Sequence, residues 1–369
     1  MFIRRRQMIH FNEDNWKSLR ENYKKWWDND LGRPIFPIIF WGRDPGRPMP
    51  KNPTLAFSNV ADLSITPYQI VDRFDFDLEC CEWAGEGYPI VYTHAFGPGV
   101  AAAFMGCEFN ARPETVWFDR KEDIPIRDLH FEYDPDNVWL RRVKDIYICG
   151  MERWGGDVLM AQTDLGGALD ILASFRTSEQ LLYELYDEPD EVIRCVNELQ
   201  AMWFRYYEEI HSIIAPYTPG YSAWAGIYSE NPSYMLQCDF CYMISPEMFD
   251  KFVAPELVTT SQRLDKPFYH LDGIGELPHL PSLMNIDTIR GIQWVCGSGE
   301  PESRDWKPLY ASIDQGGKKI QAPYNFFDDK LAPLLKVIRP NTLVTHNMGF
   351  PISMKEDVRR AAYNFGLEI

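Results

Sequence analysis

The chain has 369 residues and a formal net charge of −17, with 45% hydrophobic and 25% charged residues. This composition is typical of a protein with a packed core, and the length suits one large α/β barrel or two ordinary domains. The negative charge argues against binding to nucleic acid or to anionic lipid, because both require a basic surface.

The amino-terminal segment begins with basic residues and continues into a helical pattern. Met1–Arg6 is not followed by an apolar stretch, so the sequence predicts neither a secretion signal nor a membrane span. Residues 12–30 interleave aromatic and charged side chains and predict a helix. Eight cysteines without a disulfide framework suit a reducing compartment, and we therefore expect a cytoplasmic protein.

From residue 34 onward, apolar runs alternate with helical stretches. The runs that predict strands are residues 34–41, 89–93, 157–163, 221–227, 267–271, 289–295, 319–322 and 342–345. The stretches that predict helices are residues 67–83, 137–154, 168–176, 189–215, 246–264, 306–315, 326–339 and 353–365. About eight strand–helix units predict an α/β fold, a (β/α)8 TIM barrel, over residues 34–369, preceded by an amino-terminal helical extension over residues 1–33.

Polar side chains follow the predicted strands where each strand ends. In Phe268-Tyr-His-Leu-Asp-Gly273, His270 and Asp272 share one face because side chains alternate along a strand. The run Ile292-Gln-Trp-Val-Cys-Gly-Ser-Gly299 adds the thiol of Cys296 and a glycine turn. Active sites of barrels gather at the carboxyl ends of the strands, which makes other residues there candidates. These are His94, Asp164, Trp224, Asp239, Tyr324 and His346.

The histidines and carboxylates at these strand ends include a candidate metal site. Catalytic zinc takes imidazole, thiolate or carboxylate ligands and keeps one open position. His270 and Asp272 could provide two ligands, with His346 or Cys296 completing the set. Alternatively, Asp272 caps the following turn and His270 is a hydrogen-bonded structural residue. Asp239 is available for substrate contact or acid/base catalysis, unless it is a solvated loop carboxylate.

The loop after the first predicted strand contains an arginine pair. Arg43-Asp-Pro-Gly-Arg47 places two guanidinium groups where they could bind substrate carboxylates or phosphates through bidentate hydrogen bonds. The alternative is surface charge in a flexible loop.

Cys238 and Cys241 form a single C-x-x-C motif. Without a second pair it is weak evidence for redox or zinc chemistry, and core packing is the commoner role of such cysteines.

The order of these segments resembles the uroporphyrinogen decarboxylase superfamily over residues 34–366. The segments that carry the resemblance are Ile244-Ser-Pro-Glu-Met-Phe249, Val253-Ala-Pro-Glu256, Tyr269-His-Leu-Asp-Gly273, Ile292-Gln-Trp-Val-Cys-Gly297 and Lys355-Glu-Asp-Val358. This superfamily includes cofactor-free porphyrinogen decarboxylases and zinc methyltransferases that act on corrinoid proteins. The resemblance implies an enzyme with a (β/α)8 barrel.

Decarboxylase members of the superfamily carry an R-x-x-G-R motif after the first strand. Arg43 and Arg47 are similar to it, which implies that they bind substrate carboxylates. Glu82 falls near the family's key aspartate, and Thr345-His-Asn-Met-Gly349 replaces a terminal Gly-His-Gly. Both departures disfavour porphyrinogen decarboxylation.

Methyltransferase members use His-x-Cys and a further cysteine as zinc ligands. His270 matches the histidine, Asp272 stands at the first cysteine and His346 lies near the last. The resemblance therefore implies a metal site with oxygen and nitrogen ligands, harder than a thiolate site.

The sequence as a whole predicts methyl transfer to or from a corrinoid protein or a small-molecule acceptor. In this prediction His270, Asp272 and His346 bind a metal, expected to be zinc, while Asp239 and Glu82 act as acids, bases or substrate contacts. The residues predicted to contact substrate are Arg43, Arg47, His94, Asp164, Trp224, Trp294 and Tyr324. The alternatives are a cofactor-free decarboxylase of a polycarboxylate, tetrapyrrole-like substrate and a non-catalytic tetrapyrrole- or corrinoid-binding protein. We expect a small-molecule substrate, no nucleic-acid or membrane partner, and a homodimer.

Overall fold

The structure, a computed structural model, describes residues 9–297 and 304–369. Its helices are α1 (Glu13–Trp27), α2 (Pro67–Glu79), α3 (Ala101–Phe104), α4 (Val138–Trp154), α5 (Ala168–Arg176), α6 (Ser178–Asp187), α7 (Pro189–Ile214), α8 (Pro246–Phe252), α9 (Ala254–Ser261), α10 (Leu280–Met284), α11 (Lys307–Gln315), α12 (Leu331–Leu334) and α13 (Lys355–Tyr363). Its strands are β1 (Pro37–Trp41), β2 (Cys81–Gly85), β3 (Ile90–Val91), β4 (Glu108–Ala111), β5 (Val116–Asp119), β6 (Leu159–Met160), β7 (Met235–Leu236), β8 (Phe268–Asp272), β9 (Gly291–Val295), β10 (Lys319–Ala322), β11 (Leu343–Thr345) and β12 (Met348–Pro351).

A five-stranded parallel sheet forms the centre of the fold, in the order β11-β10-β9-β8-β7. Its register places Gln293 of β9 beside both His270 of β8 and Gln321 of β10. Most side chains of these strands are buried on both faces, as expected for parallel strands covered by helices. A parallel bridge between Ile35 and Val344 brings the segment before β1 next to β11.

The remaining strands form three smaller sheets. β1 pairs in parallel with β12 and antiparallel with β2, β3 pairs in parallel with β6, and β4 and β5 form an antiparallel hairpin. Over residues 9–297 and 304–369 these ladders do not join into one closed ring. The strand pairing thus shows a mixed α/β fold with a parallel central sheet.

Several sequence predictions of secondary structure are wrong. The predicted strand over residues 221–227 forms only isolated bridges, because the chain turns back at Gly226 (φ 75°) and Tyr221 pairs with Ser229. The predicted helix over residues 246–264 is divided at Val253, since Pro255 lacks the N–H that a continuous helix needs. Of the predicted helix over residues 326–339, only α12 is α-helical.

The predicted helix over residues 67–83 ends at Glu79, and β2 follows it. Pairing with the free edge of β1 outweighs the helical pattern of these residues. The hairpin β4–β5 and the short strand β7 were not predicted, because two- to four-residue strands carry little periodicity. Ser298 and Gly299, part of the predicted glycine turn, lie outside the described residues.

The amino-terminal helix covers the end of the central sheet opposite the predicted site. Trp26 is fully buried, and its indole Nε1 donates to the carbonyl of Leu343, the first residue of β11 (3.1 Å). The amine of Lys319, the first residue of β10, donates to the backbone carbonyl of Trp26 and to that of Asn341 (2.8 Å). α1 therefore belongs to the same core, and a domain boundary at residue 33 stays a prediction. In the described parts of the chain, no helix has both the length and the apolar character to cross a bilayer.

Candidate active site

His270 is held at the carboxyl end of β8 by a chain of amide hydrogen bonds. Gln321 donates from Nε2 to the carbonyl of Ala225 (2.9 Å), which can only accept, so Gln321 Oε1 accepts from Gln293 Nε2 (2.7 Å). Gln293 Oε1 must then accept from Nδ1 of His270. The relay therefore leaves Nε2 of His270, 3.8 Å from Oδ2 of Asp272, as the nitrogen that can bind a metal.

Two carboxylates surround this nitrogen. Asp239, His270 and Asp272 each offer a ligand atom, and the three atoms lie within 4.8 Å of one another. His270 and Asp272 are half-buried, whereas Asp239 is exposed at the mouth of the site. Burial opposes protonation of the imidazole, but Asp272 and Asp239 outweigh it and raise the pKa of His270. The same two negative charges would favour a bound cation.

Asp164, after β6, is a third acid close to these groups. Burial raises the pKa of Asp164 to about 7, and the charge of Asp239 adds to this rise. The backbone N–H of Gly166 donates to Oδ1 of Asp164 at 2.9 Å and lowers this pKa. The nearby His270 lowers it as well. A carboxyl group that titrates near neutral pH beside a histidine is suited to acid/base catalysis.

The loop that carries Asp239 is fixed by Asp170, which the sequence reasoning missed. The carboxylate of Asp170 accepts from the backbone N–H groups of Asp239 (3.1 Å) and Phe240 (2.7 Å). Partial burial raises the pKa of Asp239, Asp272 adds to that rise, and His270 opposes it. The sequence does place Asp170 in the first turn of the predicted helix α5, where the helix dipole stabilises a carboxylate, and this signal could have identified it.

His346 lies beside Gln293 and outside the group of three ligand residues. Its Nε2 is 3.4 Å from Nε2 of Gln293, and that amide separates it from His270. Burial, with a contribution from His270, lowers the pKa of His346 to about 4. A neutral imidazole here accepts from the Gln293 amide. The residue whose ligand atom lies within 4.8 Å of those of His270 and Asp272 is Asp239, and a ligand role for His346 stays a prediction.

Of the predicted aromatic contacts, Trp224 is the one placed against the site. Its ring lies 5.0 Å from that of His270 at 84°, and its buried Nε1 has no hydrogen-bond partner among the described residues. Trp294 follows Gln293 and points to the opposite face of β9, where it packs against Trp306 at 4.9 Å. Trp294 is thus part of the helix-facing core, and the alternation of the strand explains why it does not line the site.

Tyr324 and His94 flank the carboxyl ends of other strands. Tyr324, after β10, is buried and packs 6.1 Å from Tyr310. His94, after β3, is exposed, and its ring lies 6.1 Å from that of Tyr92. Tyr92 accepts a hydrogen bond from Asn347 (2.5 Å), which places both at the same end of the fold as His346.

The predicted carboxylate-binding arginines are engaged by the chain itself. Arg47 donates from Nε to Oε2 of Glu79 (2.5 Å), and Arg43 donates from Nε to the Glu79 carbonyl (3.0 Å). Glu82, on β2, pairs with Lys355 (2.6 Å) and is not one of the carboxylates around His270. The contacts of Arg43 and Arg47 join the loop after β1 to α2. They give no support to a decarboxylase that binds substrate carboxylates through these two arginines.

A buried polar cluster lies behind Asp239. It consists of Cys238, Cys241, Tyr269, Glu276 and His279. Sγ of Cys241 is 3.6 Å from Oη of Tyr269, and Nε2 of His279 contacts the Cys241 carbonyl (2.8 Å). Both carboxyl oxygens of Glu276 lack a hydrogen-bond partner within the described chain. The sequence marked only the two cysteines; Glu276 and His279 lie in a 3-10 helix whose irregular pattern gave no signal.

The sequence matches no protein-family model and no curated protein. Among solved structures, the fold is similar to that of a methyltransferase from Methanosarcina mazei, with a TM-score of 0.58 and 12% sequence identity. The match covers 94% of this chain and 98% of that chain. At this identity the similarity shows the fold alone: nearly the whole chain has a methyltransferase-like α/β architecture.

Proposed function

We propose that the protein is a metal-dependent methyltransferase of the uroporphyrinogen decarboxylase superfamily, and that its parallel strands belong to one (β/α)8 barrel. The observation that carries the proposal is the amide relay ending at His270, which leaves Nε2 facing the carboxylates of Asp239 and Asp272. A histidine whose second nitrogen is fixed by a hydrogen bond is the usual arrangement of a metal ligand.

The residues present suit a divalent ion with nitrogen and oxygen ligands. His270, Asp239 and Asp272 would hold it, and their ligand atoms are close enough to share one ion. Zinc is the metal we expect, and when bound it would act as a Lewis acid that activates the acceptor of the methyl group. Asp164 is placed to hold or release a proton beside the site, and Trp224 provides an apolar wall that limits access of water.

Exposed apolar side chains follow the carboxyl ends of several strands, the end of the fold at which the candidate site lies. The exposed apolar residues at carboxyl ends of strands are Trp41, Tyr242, Met243, Ile274 and Phe327. Such a surface favours a protein partner over a free small molecule. We therefore propose that the methyl group passes to or from a corrinoid protein, with a small molecule as the second substrate.

The first test is metal content. Protein purified without a metal-affinity column should contain close to one divalent ion per chain by mass spectrometry, and His270→Ala should lose it while keeping its circular dichroism. His130→Ala is the matched control, because His130 is exposed and pairs with Glu198. Retention of the metal in His270→Ala would reject the site.

A second variant tests the relay without touching a ligand. Gln293→Leu keeps the size of the side chain but frees the imidazole to rotate, so we expect zinc to bind about 10- to 100-fold more weakly by calorimetry. Unchanged affinity would mean that the relay is only structural. A metal-free wild type that still binds corrinoid without turnover would instead favour a non-catalytic binding protein.

A further inference from the structure

The C-x-x-C motif is built into a tight turn at the edge of the site. Cys238 precedes a 3-10 helix (Asp239–Met243), and the backbone N–H of Cys241 donates to the Cys238 carbonyl at 3.1 Å. Such a turn holds the two Cα atoms within about 7 Å, close to the range of about 4.4–6.8 Å that a disulfide needs. Little movement is therefore needed to join them.

The surroundings of this pair differ from those of a cysteine kept only for packing. Cys241 contacts Tyr269 and His279, and Glu276 lies nearby with no exposed surface. Nδ1 of His279 and both carboxyl oxygens of Glu276 have no hydrogen-bond partner in the parts of the chain described. Buried polar groups without a hydrogen-bond partner are destabilising, and a purely apolar core would avoid them.

The 3-10 helix that contains Cys241 is exposed on its outer face and also carries Asp239 of the candidate metal site, whereas the two thiols are buried. Asp239, Tyr242 and Met243 are exposed on the outer face of the same 3-10 helix. Asp239 lies between the two cysteines in sequence, so any change in the turn acts directly on its carboxylate.

We infer that Cys238 and Cys241 form a reversible disulfide that moves Asp239 and thereby weakens metal binding at the Asp239–His270–Asp272 site. The regulatory part of this inference rests on the proposed function. The disulfide would draw the two sulfur atoms to about 2.05 Å and tighten the turn between them. Asp170 holds the backbone N–H groups of Asp239 and Phe240 inside this turn, so even a small change of the turn would lengthen or redirect those hydrogen bonds.

A hydroperoxide is the class of oxidant that balances the reaction. One thiol attacks the peroxide: an S–O bond forms, the O–O bond breaks, and an alcohol or water leaves. The second thiol then attacks the resulting sulfenic acid, the disulfide forms, and water departs. The sum is two thiols plus hydroperoxide giving one disulfide, one alcohol and one water, and an external dithiol reverses it.

The test uses the full-length protein and hydrogen peroxide. Differential alkylation and peptide mass spectrometry should show a disulfide between Cys238 and Cys241, removed by dithiothreitol. Hydrogen exchange at residues 235–245 should change on oxidation in metal-free protein. Zinc affinity should fall by at least about tenfold, as for other changes that displace a ligand, and recover on reduction.

Two variants and one control isolate the pair. Cys238→Ser and Cys241→Ser should abolish both the exchange change and the loss of zinc affinity, whereas Cys107→Ser, at another buried cysteine, should not. Absence of the disulfide, or a disulfide with unchanged exchange, overturns the inference. Loss of zinc from reduced Cys238→Ser also overturns it, because the thiols would then be ligands. If reduced wild type binds no metal, the proposed function fails, while the disulfide and exchange measurements still decide this inference.

Discussion

Glu276 is buried with an ionisable group that has no ionic partner in the described chain. Burial raises the pKa of Glu276 to about 11, from 4.5, and the nearby Cys241 and Asp239 add to this rise. The folded protein therefore keeps the proton over a pH range in which the unfolded chain releases it. A raised carboxyl pKa contributes stability below pH 4.5, and that contribution is lost as the pH rises towards 11.

Glu276→Gln should remove this loss, because glutamine stays neutral at every pH. We expect the variant and the wild type to have similar free energies of unfolding at pH 5. At pH 7 the variant should be more stable, by up to about 3 kcal/mol, since each pH unit contributes about 1.4 kcal/mol. Urea unfolding of metal-free protein across this range measures the difference. Glu230→Gln, at an exposed glutamate, is the control. If Glu276→Gln and the wild type lose stability with pH at the same rate, Glu276 does not keep its proton in the folded protein.

The residues of the candidate site were only partly predictable from sequence. His270, Asp272, Asp239, Asp164 and Trp224 meet because strand ends converge, which is a rule of topology. The relay glutamines were missed, although a polar residue within an apolar strand, as in Ile292-Gln-Trp-Val295, was a usable signal. The partners that Arg43, Arg47 and Glu82 bind, on α2 and α13, cannot be predicted from the local sequence.

At the scale of the elements, the spacing of β8 and β9 sets the geometry of the relay. Gly291 begins β9 opposite Phe268, and a Cβ added there would lie 2.3 Å from the Phe268 ring. The glycine thus allows the two strands to approach at their amino-terminal ends. Two positions further along each strand, His270 and Gln293 are then within hydrogen-bond range.

Gly291→Ala should push the strands apart and strain the core. We expect a loss of about 1–3 kcal/mol in the free energy of unfolding, typical of overpacking, together with weaker zinc binding. Gly349→Ala is a matched control on β12, because its added Cβ would meet Trp41 at an ordinary 3.9 Å. Denaturant unfolding and calorimetry of both variants measure the two effects. Equal behaviour of the two would show that the Phe268 ring moves aside freely.

Elements with long, regular patterns were predicted well. The bounds of β10 and α5 agree with the sequence prediction, because a buried strand and an amphipathic helix each keep one period throughout. Prediction fails where a tertiary partner decides the outcome. β2 is the example: its residues continue a helical pattern but pair with the edge of β1.

At the scale of the whole molecule, α1 is fastened to strands from the other end of the chain. Trp26→Ala would remove a fully buried side chain and its hydrogen bond to Leu343. We expect the free energy of unfolding to fall by about 3–5 kcal/mol, the usual cost of such a truncation. Trp117→Ala, on the exposed hairpin, should change it by less than about 0.5 kcal/mol. Urea unfolding measures both variants. A similar loss of free energy of unfolding in the two would contradict the prediction that α1 stabilises the fold by covering the end of the central sheet.

The hydrogen bond between Trp26 and Leu343 joins positions 317 residues apart, which affects how the chain folds during its synthesis. The ribosome makes α1 first, yet its binding surface is complete only when β10 and β11 have emerged. Until then Trp26 lacks its hydrogen bond to Leu343, and contacts of such long sequence separation form slowly. The nascent chain therefore carries an incompletely covered aromatic helix until β10 and β11 have been made, the kind of segment that chaperones bind.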